Sequence, residues 1–287
     1  MPDYPIVDAH VHLCDPSRFG YGWMKNAPSL ARLVLPADLT KAAAPVEIDR
    51  FVFVEVDVDF PQHLGEAEWI SGLALADKRL AGMVAALPLE RGKAIEPELD
   101  RLRGNKMLRA IRRLIQNQSD PDFCIRPDFI AGLGLLGRHD LAFDICILHH
   151  QMPSVIKMVR QCPEVRFVLD HIGKPGIKAG IFDPWRGHLK ELARLPNVHC
   201  KISGVITEAD HKDWTREELK PYIAHAIDAF GFDRVMYGSD WHVLELAGSY
   251  PDWVDIVDWV VEGASADEKR KLFRDNATDF YRLDRAA

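Results

Sequence analysis

Two histidines, His10 and His12, stand two residues apart at the end of an apolar, β-branched stretch, Ile6-Val7-Asp8-Ala9-His10-Val11-His12-Leu13. Side chains alternate along a strand, so Asp8, His10 and His12 are predicted to share one face and Val7, Ala9, Val11 and Leu13 the other. Two imidazoles converging from one strand end can bind a metal ion or polarise a carbonyl. Because the chain holds 12 histidines, the pair gains meaning only if other segments supply partners. Two segments do. Leu169-Asp170-His171-Ile172-Gly173-Lys174-Pro175 and Met236-Tyr237-Gly238-Ser239-Asp240-Trp241 each place a polar residue where an apolar run turns rich in glycine or proline. Together His10, His12, His171 and Asp240 form a nitrogen and oxygen donor set suited to one divalent ion. The same groups suit metal-free acid–base chemistry, with imidazoles polarising a carbonyl while the aspartate activates water.

The elements that must position these residues repeat along the chain. Eight apolar runs read as strands: Ile6–Leu13, Phe51–Val58, Ala81–Leu87, Met107–Leu114, Leu141–Leu148, Val165–Ile172, Val198–Gly204 and Arg234–Trp241. Amphipathic stretches lie between them, among them Glu66–Lys78, Pro127–Arg138, Pro153–Gln161, Trp185–Leu195 and Glu217–Phe230. This alternation predicts an α/β fold of the (β/α)8 TIM-barrel type, a single domain over residues 1–287. No G-x-G-x-x-G turn follows the first strand to favour an open nucleotide-binding sheet. Connections into strands are short and those leaving strands are long, which puts the site on the strand-to-helix side. Near the C-terminus, Ser265-Ala266-Asp267-Glu268 has the form of a capping box. The segment Asn276–Leu283 beyond it is predicted to form a helical extension on the barrel exterior.

Alternation within the strands predicts which side chains face inward. The apolar row Val52, Val54, Val56, Val58 is expected to face the helices, leaving Phe51, Phe53, Glu55, Asp57 and Asp59 inward. By the same reasoning Ala142, Asp144 and Cys146 oppose Phe143 and Ile145, and His199, Lys201 and Ser203 oppose Cys200 and Ile202. Buried charges are costly unless paired or used. Glu55, Asp144 and Lys201 are therefore either an internal salt-bridge network or part of the site. Tyr21 and Trp23, in the long first loop, either offer aromatic faces that suit stacking on a sugar-like ring or form the loop's own small core. His149 and His150 are weaker metal candidates, His242 a substrate contact or a solvated loop residue, and His63, His139, His188, His211 and His225 surface residues.

Composition excludes several classes. At 47% hydrophobic and 28% charged, the chain has the balance of a soluble globular protein. Its net charge of −7 argues against nucleic acid or an anionic membrane as partner. No apolar run approaches the roughly 20 residues of a membrane span, and no signal peptide is visible. Five scattered cysteines without a C-x-x-C fit reduced thiols, hence a cytoplasmic enzyme.

The motifs quoted above, with Cys200-Lys201-Ile202-Ser203-Gly204, Asn276-Ala277 and Tyr281, resemble those of the amidohydrolase-2 group of the amidohydrolase superfamily. Within it they look most like sugar-lactone and dicarboxylate-lactone hydrolases. The resemblance implies a barrel enzyme, a monomer or small homo-oligomer, that opens a small lactone. A fucono-, galactono- or rhamnono-lactone is the expected substrate, with a pyrone-dicarboxylate lactonase or a metal-dependent decarboxylase as alternatives. It makes Asp240 the general base, with His10, His12 and His171 holding the carbonyl or a metal such as zinc. Leu108-Arg109-Ala110-Ile111-Arg112 matches a family segment and implies that Arg112 binds substrate, and Lys201 is expected to assist it. The chain also departs from the two-metal members. Arginines stand where those carry a bridging lysine or glutamate on the fourth strand, and His171 alone matches their histidines on strands five and six. One ion at most, or none, is expected.

Overall fold

A computed structural model describes residues 1–284. Eight parallel strands lie in sequence order: β1 (Ile6–Val11), β2 (Ile48–Val54), β3 (Leu80–Ala86), β4 (Leu108–Arg112), β5 (Ala142–Ile145), β6 (Phe167–Leu169), β7 (Val198–Ile202) and β8 (Val235–Tyr237). The principal helices alternate with them: α1 (Pro36–Ala43), α2 (His63–Ala76), α3 (Glu96–Arg103), α4 (Pro127–Arg138), α5 (Met152–Gln161), α6 (Trp185–Ala193), α7 (Arg216–Phe230) and α8 (Tyr250–Val260). The predicted (β/α)8 barrel is the fold observed. Its seam is closed by a parallel bridge between Val11 and Trp241, with the His12 amide donating to the Trp241 carbonyl at 2.6 Å. The seam matters because it brings the first and last motifs of the sequence side by side.

Two corrections concern which side chains face inward. On β2 the expectation was inverted for Phe51, Val52, Phe53 and Val54, whereas past the strand end Val56 and Val58 join the core beneath the helices and Glu55 and Asp57 face inward as expected. Val52 and Val54 pack with Val7, Ala9, Val84, Ala110, Ala142, Val168 and Met236 in an apolar cluster inside the barrel. Phe51 and Phe53 join the larger core beneath the helices. At the N-terminal end of a small barrel the interior is filled by aliphatic side chains, so apolar character alone cannot tell inside from outside. On β1 the predicted common face of Asp8, His10 and His12 is broken by a bulge. Asp8 pairs with Phe51 and Val11 with Phe53, so β1 spends one residue more than β2 over this step. The Asp8 carboxylate fastens the distortion, accepting from the His10 amide at 3.0 Å, the Ser239 amide at 2.9 Å and the Tyr250 hydroxyl at 2.9 Å. Burial raises the Asp8 carboxyl to about 6.

The C-terminal segment corrects a third expectation. The capping box at Ser265 and Glu268 is present and opens α9 (Ala266–Arg270), and a π-turn leads into α10 (Asn276–Tyr281). That last helix does not lie on the exterior. Ala277, Phe280, Tyr281 and Leu283 pack against the aliphatic interior residues and seal the floor of the barrel. Residues 285–287 of the expected span lie outside the described residues.

Candidate active site

The barrel interior changes character along its axis. Above the aliphatic floor lies a layer of buried ion pairs. Lys201, fully buried on β7, donates to Asp144 Oδ2 at 2.6 Å and pairs with Asp170 Oδ1 at 3.0 Å. Arg112 on β4 donates from Nε to Glu55 Oε1 at 2.6 Å and from Nη1 to Asp170 Oδ2 at 3.2 Å. The Tyr281 hydroxyl, rising from the floor, donates to Asp144 Oδ2 at 2.7 Å. Burial raises the Asp144 carboxyl to about 6 against the pull of Lys201, whereas at Asp170 the charge of Lys201 and the contact with His10 outweigh burial and hold it well below the usual carboxylate range.

Above this layer, the bulged β1 turns His10 and His12 inward at consecutive levels. Asp240 Oδ1 lies 3.2 Å from His12 Nε2, 3.6 Å from His10 Nε2 and 3.9 Å from His171 Nε2. The Nε2 atoms of His10 and His12 are 3.2 Å apart. His12 Nδ1 donates to the Val54 carbonyl at 2.8 Å, which fixes the ring with its Nε2 facing Asp240. His10 Nδ1 sits 3.2 Å from Lys201 Nζ and 3.4 Å from Asp170 Oδ1, so the ionic layer orients the ring from below. His171 follows β6 in the left-handed region (φ 55°), with Nδ1 3.0 Å from Ser203 Oγ. Its ring stacks against Gly204, itself at φ +58°, where an added Cβ would come within 2.4 Å of His171 Nδ1. No side chain other than hydrogen leaves room for the imidazole.

The electrostatics separate the histidines from the aspartate. Burial, then the charge of Lys201, pushes His10 well below the ordinary histidine value, and burial pushes His171 down to about 4. Both are neutral at pH 7, the state a metal ligand requires. Burial opposes charge on Asp240, but His171, the His12 hydrogen bond and His10 outweigh it and hold the carboxyl far below the usual carboxylate range. The donor set fits a divalent cation: His10, His12 and Asp240 place one donor atom each within 4.8 Å of the others. The charge balance fits as well, since four buried carboxyls (Glu55, Asp144, Asp170, Asp240) face two buried cations, Arg112 and Lys201. His10, His12, Asp240 and His171 would hold such an ion.

A cavity of about 250 Å³ opens above the cluster, lined by His12, Trp23, Asp57, Arg112, His171 and Asp240 among others. The structure thus brings together most of the residues singled out in the sequence, with His10 directly beneath. Trp23 borders the cavity and donates from Nε1 to the Val56 carbonyl at 2.8 Å. Tyr21 does not border it: the ring is 7% exposed and belongs to the core under the first loop. Lys201 and Glu55 line no part of the cavity and stand behind His10 and Arg112, so the expectation that they touch substrate is corrected to a bracing position.

The remaining histidines also sort themselves. His242 is buried with Nε2 3.8 Å from Cys14 Sγ, so it is neither a solvated loop residue nor a cavity-lining one. His63, expected at the surface, is buried with Nε2 3.0 Å from Glu98 Oε2. His149 and His150 form a short turn after β5 and belong to neither buried histidine–aspartate cluster. Sequence reasoning gave no role to Asp170, Lys174, Gln116 or Asn117. Alternation on β6 carries the signal for Asp170, which continues the inward row of Val168. Nothing local marks the other three, which reach the cavity from loops.

A family model described as amidohydrolase (Amidohydro_2) matches residues 7–283. The chain belongs to the amidohydrolase family. This amidohydrolase is 32% identical over 285 residues to an L-fucono-1,5-lactonase of Burkholderia ambifaria, a match covering 97% of this chain and 96% of that one. Among solved structures it is similar to an amidohydrolase of Burkholderia multivorans with bound zinc, at a TM-score of 0.87 and 30% identity, covering 98% of this chain and 100% of the other. A structure from Acinetobacter baumannii described as a probable 2-pyrone-4,6-dicarboxylic acid hydrolase, with citric acid bound, superposes with a TM-score of 0.78 over 97% of this chain and 99% of its own. At 14% identity that likeness shows the shared barrel alone.

Proposed function

We propose that this enzyme hydrolyses a small sugar-acid lactone, such as a fucono-, galactono- or rhamnono-lactone, to the open hydroxy acid, in cytoplasmic sugar catabolism. The observation that carries the reading is Asp240: an anionic carboxylate within 3.2–3.9 Å of three imidazole Nε2 atoms at the base of a cavity bordered by Trp23 and Arg112. The full-length similarity to an L-fucono-1,5-lactonase supports the substrate class.

Asp240 takes a proton from the attacking water as the new C–O bond forms at the ring carbonyl. His12 and His171 face the carbonyl oxygen, and Arg112, whose Nη1 is 3.4 Å from His10 Nε2, lends positive charge as that oxygen becomes anionic. One donor aimed at such an oxyanion is commonly worth about 3–4 kcal/mol. When the tetrahedral species collapses, the ring C–O bond breaks and Asp240 returns the proton to the departing oxygen. Lys201 holds His10 in register rather than meeting substrate. A divalent ion such as zinc, held by His10, His12, His171 and Asp240, would supply Lewis-acid polarisation of the carbonyl and a more acidic water.

A pH-indicator screen of sugar lactones, run with and without a chelator, tests the reading. Acid release without carbon dioxide is expected from at least one sugar lactone. Carbon dioxide release, or no acid from any lactone, would sink it. The chelator arm reads the metal requirement separately.

A further inference from the structure

One carboxylate in the cavity takes no part in the chemistry above. Asp57 lines the cavity beyond the end of β2 and is partly buried. Its backbone is left-handed, at φ 51°, a conformation that costs an L-residue energy and persists only where surroundings enforce it. Here the enforcing groups are visible. The Asp57 amide donates to Glu55 Oε2 at 2.7 Å, and Glu55 is itself gripped by Arg112. The Asn117 side-chain amide donates to Asp57 Oδ2 at 3.3 Å from the far side of the cavity rim. A strained acidic residue is thus fixed at the mouth of the site, and among the described residues no cation pairs with it directly, although Arg112 and Arg113 lie near enough to favour its charge.

Charge in the cavity sharpens its meaning. The two cations that line it are already engaged: Arg112 by Glu55 and Asp170, and Lys174 by Glu208 at 3.7 Å. With those partners counted, the carboxyls Glu55, Asp57, Asp170, Glu208 and Asp240 outnumber Arg112 and Lys174 around the cavity. A lactone bearing carboxylates meets repulsion there, whereas ring hydroxyls are donors that a carboxylate accepts with both oxygens. Trp23, on the same wall through its bond to Val56, presents the apolar face that a sugar ring needs beside its hydroxyls. Burial, then the neighbouring Glu55, raises the Asp57 carboxyl to about 6 against the charges of Arg112 and Arg113.

We propose that Asp57, braced by Glu55 and Asn117, is a specificity-determining residue that binds the hydroxyls of an uncharged polyhydroxylated lactone and excludes lactones carrying carboxylates. This rests on the lactonase reading and names the substrate class within it.

The test compares purified wild type with Asp57→Asn and Asn117→Ala on three substrates: L-fucono-1,5-lactone, unsubstituted δ-valerolactone and 2-pyrone-4,6-dicarboxylate. Asparagine tolerates the left-handed conformation, so Asp57→Asn should fold, which a thermal melt checks. A hydrogen bond to a charged group is worth roughly 1.5–3 kcal/mol, or about 10–150-fold. The preference for the sugar lactone over δ-valerolactone, as a ratio of kcat/KM, should fall at least tenfold in Asp57→Asn, mainly through KM. In Asn117→Ala it should fall less. Activity on the dicarboxylate should be weak in wild type and rise in Asp57→Asn. An unchanged ratio in both folded variants, or a wild type that prefers the dicarboxylate, overturns the proposal while leaving lactone hydrolysis intact. A wild type that opens none of the three, nor any galactono- or rhamnono-lactone, overturns the lactonase reading itself, and this assignment with it.

Discussion

The two ends of the barrel are built from the same eight strands and are chemically opposite. At the floor, Val7, Val52, Val54, Val84 and Val168 meet Phe280 and Leu283 in an aliphatic plug. At the mouth, His10, His12, His171 and Asp240 stand on a layer of paired charges. The floor therefore carries stability by burial, and the mouth carries chemistry at a cost in desolvation. Between them, the Lys201–Asp144–Tyr281 chain ties plug to site, so the two ends are distinct without being independent.

Substitutions at each end should separate these roles. The largest effect is expected at Asp240. Asp240→Asn removes the group proposed to move the proton, and kcat should fall about 10²–10⁴-fold while the melting temperature stays near that of wild type. Steady-state kinetics with a matched thermal melt checks both halves. Next comes the layer joining the two ends. Lys201→Met leaves Asp144 buried without its cation and Asp170 with Arg112 alone, and loss of one partner of a buried pair costs about 3–5 kcal/mol. Stability and activity should drop together, since Lys201 also orients His10; a variant of undiminished activity would show that the ionic layer does not support the site. At the floor, Phe280→Ala should cost about 3 kcal/mol by creating a cavity, read by denaturant unfolding, with kcat changed far less than in Asp240→Asn.

The smallest expected effect comes with pH. His199 near the floor and His242 near the mouth are both lowered to about 4 by burial. The unfolded chain binds protons on these histidines near 6.5, before the folded one does, so their contribution to stability is complete above that pH. It is lost as pH falls from about 6.5 toward 4. Asp8, Asp57 and Asp144, raised to about 6, give the opposite slope, so the test is a difference: over that window the wild-type melting temperature should fall relative to that of His242→Asn. A difference between wild type and His242→Asn that stays constant from pH 7 to 5 would show that His242 is not held neutral.

Much of this was legible in the residues alone. The β/α alternation, the boundaries of α4 at Pro127 and Arg138, the capping box at Ser265, and the grouping of His10, His12, His171 and Asp240 at strand ends all follow from local pattern. These features depend on periods of 3.6 and 2 and on turn residues, which are written within a few positions of one another. The reading failed where contacts are long-range. Tyr21 and Trp23 lie two residues apart in one loop, yet only Trp23 reaches the cavity, because the loop's own packing takes the other ring.

What the sequence determined by itself is the repeat, the family and the identity of the groups able to do chemistry. Tertiary structure decided the rest. A one-residue bulge, visible only as register against β2 and held by Asp8, turns His10 as well as His12 into the barrel. A C-terminal helix became the floor rather than a surface extension, because an eight-stranded barrel leaves an open apolar end that must be covered. Lys201 became a brace beneath His10, because the depth of a side chain along the barrel axis is set by how neighbouring strands are staggered, and no single strand records that stagger.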